Sequence, residues 1–123
     1  MYNNQPKPEE NVGKLKISQE VIETIANQSA LEVPGVYALS KNSGNIKDYI
    51  SKRSITGGVG VNLKDGLAVV DIAIIIRNGF KIEIVSKKVQ ENIKEAIQTM
   101  TGVVVSSVNI IVEGINFSQQ NED

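Results

Sequence analysis

The sequence predicts an α+β domain, a two-layer β-α-β-β-α-β arrangement with two helices packed on one face of a mainly four-stranded sheet. Three observations point there. "VQENIKEAIQTMTG" carries a helical apolar stripe that stops at Gly102, and the long strand pattern "VVVSSVNIIVEGINF" follows. "VIETIANQSALEV" carries a second stripe that stops at Pro34-Gly35. Between them, "GVGVNLKDGLAVVDIAIIIR" alternates as a hairpin does. Two amphipathic helices and a sheet with one apolar face close by stacking as two layers.

In chain order, residues 1–12 are polar and broken by Pro6 and Pro8, which reads as a disordered arm. The folded domain runs over 13–117, and 118–123 is a polar tail. "GKLKIS" reads as a short strand with Leu15 and Ile17 on one face. Ser18 is placed to N-cap the next helix, with Glu20 in the first turn, where the helix dipole favours a carboxylate. Val21, Ile22, Ile25, Ala26, Ser29, Ala30 and Val33 then recur at helical spacing. "VYAL" is a candidate short strand. Residues 40–56 read either as a loop or as a short helix capped by Asn45 and carrying Ile46, Tyr49 and Ile50.

Asp65-Gly66 suits a two-residue type I′ turn, which needs positive φ at both positions. That turn sets Leu63 opposite Ala68, Val61 opposite Val70 and Val59 opposite Ile72. Ile74 and Ile76 extend this apolar face. The other face carries Lys64, Asn62, Gly60 and Asp71, and reads as solvated. After Asn78-Gly79, Val85, Val89, Ile93, Ala96, Ile97 and Met100 make the second helical stripe. Gly102 suits the left-handed residue that ends a helix. The last strand turns Val108, Ile110 and Val112 inward, then Ile115 and Phe117, with a β-bulge expected near Gly114.

The composition removes several chemistries. The chain has 123 residues, 41% of them apolar, and 13 basic against 14 acidic side chains. That near balance argues against a protein built to neutralise nucleic acid or anionic lipid. It has no histidine and no cysteine, so the commonest general base and the thiolate nucleophile are both missing. No acidic cluster has metal-ligand spacing, and no metal or cofactor is expected. No serine sits in a Gly-x-Ser-x-Gly elbow. "GGVG", 57–60, lacks the flanking helices of a nucleic-acid-clamping loop and the Gly-Lys-Ser/Thr of a phosphate loop. Asp71 reads as an exposed strand charge. Lys41, Lys47, Lys52 and Arg53 make 40–56 basic, which reads as a solvated loop. No apolar run approaches the roughly 18 residues that cross a bilayer. "MYNNQPKPEEN" has no apolar core of a signal peptide.

The run "GKLKISQEVIETIANQSALEVPGVYAL" resembles the opening of the alkaline shock protein family, the envelope stress response proteins of Gram-positive bacteria. The matching positions are Gly13, Ile17, Ser18, Val21, Ile22, Glu32, Val33, Gly35 and Val36. Gly58-Val59, Gly79, "VQENIKEAI", Thr101-Gly102 and "VNIIVEGINF" continue the resemblance to Phe117. It implies an α+β domain with no catalytic residues, acting in cell-envelope homeostasis and stress, and in some lineages linked to fatty-acid metabolism. It also implies a cytoplasmic protein, which in some members is held at the membrane by a protein partner. The residues alone leave open a nucleic-acid-binding domain, and an enzyme or small acyl-ligand sensor.

Leu67, Val69 and Ile75 lie on the sheet face that the hairpin register turns away from the helices. They are the candidate interaction surface, for a protein partner or for self-association into a homo-oligomer. The competing reading has residues 40–56 folded over them.

Overall fold

The computed structural model describes residues 12–40, 55–56 and 58–118. The elements are α1 (Gln19–Leu31), β1 (Val36–Leu39), β2 (Ile55–Thr56), β3 (Val59–Lys64), β4 (Leu67–Arg77), α2 (Ile82–Thr101) and β5 (Val104–Asn116). The fold is the α+β class expected, with two helices stacked on one sheet.

The sheet is built around β4. The hairpin forms in the expected register, with Val59 opposite Ile72, Val61 opposite Val70 and Leu63 opposite Ala68. Its turn has φ of 53° at Asp65 and 78° at Gly66, as a type I′ turn requires. β5 runs parallel to β4 along its other edge. A parallel neighbour needs a crossover, and α2 supplies it. β1 continues the line of β3 on the same edge of β4, pairing with Ile74–Ile76 where β3 has ended. Ala73 marks the join: its N–H donates to the Gly58 carbonyl at 3.1 Å, and its carbonyl accepts from Ser40 N–H at 2.8 Å. The two-residue β2 lies outside β3.

Alternation along β4 sends Ala68, Val70, Ile72, Ile74 and Ile76 into the core, where Ile22, Ala26 and Ala30 of α1 and Val85, Val89, Ile93 and Ile97 of α2 cover them. Ser18 caps α1, its Oγ accepting from Val21 N–H at 3.3 Å. Gly102 ends α2 in the left-handed region, with φ of 78°. Asn92 of α2 donates to the Ser29 carbonyl of α1 at 2.7 Å, and Gln19 donates to the Val61 carbonyl at 2.8 Å, tying the helices to each other and to the sheet.

Several expectations need correction. "GKLKIS" is not a strand: 13–18 are irregular and Leu15 is exposed, though Ile17 packs against the core. Both edges of β4 are already taken, so the segment finds no ladder there. β1, the candidate "VYAL", is the first strand instead. Val21 and Met100 are exposed ends of their stripes. The bulge forms one residue before Gly114, with Glu113 the extra residue, and a second lies at Ser106. Ile115 and Phe117 nevertheless stay exposed, because β5 is an edge strand. The arm over 1–11, the short helix from Asn45 and the tail over 119–123 lie outside the described residues.

Candidate functional site

The outer face of the sheet is built from the odd-numbered positions of β4. Their neighbours are Gly60 and Asn62 on β3, Ala38 on β1, and Ser107, Asn109 and Ile111 on β5. Of the candidate interaction residues, Leu67 is exposed, and Val69 and Ile75 are half-buried. They share this face but do not form one patch. Leu67 and Val69 sit at the hairpin end. Ile75 sits about 20 Å further along an extended strand, opposite Ala38.

A polar seam lies between them. Asp71 is buried at 8% exposure, and Asn109 Nδ2 donates to its Oδ1 at 2.9 Å. This corrects the expectation of an exposed charge at Asp71, and the parallel pairing of β5 supplies its hydrogen-bond partner. It sets Asn109 directly beside Asp71, with the bare Gly60 on the other side. Two residues on, Ala73 is fully buried. Ser40 Oγ donates to Glu113 Oε1 at 2.9 Å, linking the elements on either side of β4 at that level. The bulge gives Glu113 its place on the seam. A concave site lined by Asp71, Asn109, Ile110 and Ile111 opens beside it. Asn109 and Ser40 each donate to one of these two carboxylates across the sheet, an arrangement that suits cross-strand locking. Among the described residues no cluster of acidic side chains could hold a metal ion.

A second exposed apolar group lies at the far end of β4. Phe80, Ile82 and Ile115 line a groove with Arg77, Asn78, Gly79, Lys81 and Glu83. Arg77 stacks over Tyr37 with its guanidinium carbon 5.3 Å from the ring centroid, a cation–π contact. Phe80 is held here because Gly35, at φ of 102°, has no side chain and lets the ring lie against the turn. This group is not among the candidate residues of the sequence. Its signal is "NGFKIEI", where three large apolar residues fall outside the core stripe of α2.

The model of the alkaline shock protein 23 family, described as having a cell envelope-related function, matches residues 7–117. The chain belongs to that alkaline shock protein family. It is the family that the sequence resembles from Gly13 to Phe117. Among the relatives, the chain is 32% identical to the uncharacterised protein YqhY of Bacillus subtilis, over 92% of this chain and 84% of that one. It is 35% identical to the uncharacterised protein Spy1535 of Streptococcus pyogenes, over 86% and 81%. In fold it is similar to the structures titled MamM-CTD H285A and MamM-CTD 215-293. Each has a TM-score of 0.50 and 13% identity, covering 79% of this chain and 98% or 99% of the other. At that identity the likeness is one of fold alone. No described helix of this alkaline shock family chain is long and apolar enough to cross a membrane.

Proposed function

We propose that the protein is a non-catalytic component of cell-envelope homeostasis and stress response, working in the cytoplasm through contacts with a partner protein. That partner holds it at the membrane, and the outer sheet face is the contact surface. The family match over residues 7–117 carries this reading. Two features support the mode of action. The chain has neither histidine nor cysteine, so imidazole and thiolate chemistry are closed to it. The outer face pairs a rigid polar seam with apolar residues at either end, a pattern that gives register and affinity in docking.

Val69→Lys tests it. Its cross-strand neighbours are Asn62 and Ser107, so a lysine fits there without a buried apolar clash. The variant should melt within a few degrees of the parent and lose capture of the membrane partner, because a charge enters an apolar contact. A lower melting temperature with unchanged capture would support the covering-segment reading instead. A fatty-acid link by direct binding requires an acyl-ligand site, and a panel of acyl-CoA esters should leave the melting temperature unchanged. A stabilising shift would make the protein an acyl-ligand sensor.

A further inference from the structure

β5 is the longest strand, and among the described residues β4 is its only neighbour. Among the described residues no strand pairs with the other side of its backbone, which is therefore an edge. The backbone hydrogen bonds show which groups face it. Ala73 turns its N–H and C=O toward Gly58 and Ser40, and Arg77 N–H bonds the Gly35 carbonyl. The odd residues of β4 therefore serve β1 and β3, and the even ones serve β5. In a parallel ladder, the residue opposite a bonded position turns its own groups away. Val108, Ile110 and Val112 stand opposite Val70, Ile72 and Ile74. Their backbone groups thus point to that edge. Gln90 Nε2, reaching from α2 to the Val108 carbonyl at 3.0 Å, agrees with that direction.

Natural edges are blunted by lysine, proline, inward charges or bulges. The two bulges here fall at Ser106 and Glu113 and bracket a regular run, "SVNIIV", over 107–112. That run has no proline and no charge. Its inward side chains, Ile110 and Val112, pack against the core yet stay only half-buried. A strand laid beside them would cover them.

We propose that this edge pairs with the same edge of a second copy, antiparallel about a two-fold axis at Ile110. The segment is its own complement. With Ile110 opposite its counterpart and Val108 opposite Val112 of the other copy, every edge-facing residue meets an edge-facing residue. Opposite residues then share a face, so the helices of both copies lie on one side of a continuous sheet. Apolar side chains meet apolar ones on that side. The flank of α2 beside residues 105–109 presents Glu91 and Lys94, of opposite sign, so no like-charge block faces the joint. A carbonyl accepts two hydrogen bonds, so Val108 keeps Gln90 while pairing. The inference does not depend on the partner surface proposed above, which lies on the sheet face and not its edge.

The native chain has no cysteine, so one introduced thiol reports one contact. Under mild oxidation Ile110→Cys should give a disulfide-linked dimer, since opposed antiparallel residues sit about 5.5 Å apart at Cα, within disulfide range. Ser107→Cys should not, because the offset leaves its counterpart roughly 20 Å away. Sedimentation should show the parent protein at twice the 13.3 kDa chain mass. Ile110→Pro removes an N–H that serves no bond to β4, and such an edge site tolerates proline. It should weaken dimerisation at least about 100-fold with helix content unchanged, since each copy loses a donor and leaves a carbonyl facing it unmet. If that variant misfolds, Val112→Pro makes the same test. A parent monomeric at about 100 µM, equal cross-linking of the two cysteine variants, or a folded proline variant that still dimerises would overturn the proposal.

Discussion

Gly58→Ala is expected to lower the unfolding free energy by about 2–5 kcal/mol. Two costs add. Gly58 has φ of 90°, which an L residue adopts only with strain. A Cβ there would also run into the carbonyl oxygen of Ser40, which is backbone and cannot rotate away. That carbonyl belongs to the join where β1 and β3 meet on the edge of β4, and the Ser40 and Gly58 backbones both bond Ala73 there. Gly102→Ala is the reference. Its φ of 78° is similar, but its Cβ would meet open space. It should cost only about 1–2 kcal/mol. Urea denaturation of the two variants isolates the crowding at the join as their difference. If Gly58→Ala costs no more than Gly102→Ala, the two strands do not meet as described.

Ile93→Ala should cost about 2–5 kcal/mol, the range for a large side chain cut down in a packed core. Ile93 is fully buried in the middle of the α2 stripe, between Val89 and Ile97. Lys94→Ala, one residue on and exposed, should change stability by less than about 0.5 kcal/mol. Chemical denaturation of the pair checks the facing of the helix. Similar losses for both would mean that α2 does not present Ile93 to the sheet.

The parts of the fold legible in the sequence are those whose geometry is fixed locally. Asp65-Gly66 dictates a turn, and the turn dictates the pairing of six neighbouring side chains. Ser18 and Gly102 mark helix ends through their own backbone and side-chain chemistry. The parts that are not legible depend on which strands lie side by side. "GKLKIS" alternates like a strand, but a strand needs a partner, and alternation alone does not show that this segment pairs with none of the described strands. Asp71 reads as solvated because nothing local shows that Asn109 lies beside it. That neighbour is set by the length of α2 and by the bulge at Ser106, which has no glycine to signal it. Alternation correctly places the candidate residues Leu67, Val69 and Ile75 on the outer face. Their separation by the Asp71–Asn109 seam is not visible, since it rests on the same parallel pairing. The Phe80, Ile82 and Ile115 groove escapes for a related reason, being assembled from a turn, a helix start and a strand end.

In the function proposed, the protein reaches the envelope through a protein contact on its outer sheet face. Co-sedimentation of the purified protein with host membranes, before and after their proteins are stripped by protease, tests that contact. The parent should pellet with intact membranes and stay in solution with stripped membranes, while Val69→Lys, still folded, should stay in solution with both. Pelleting of the parent with stripped membranes, or of Val69→Lys with intact ones, would contradict the claim.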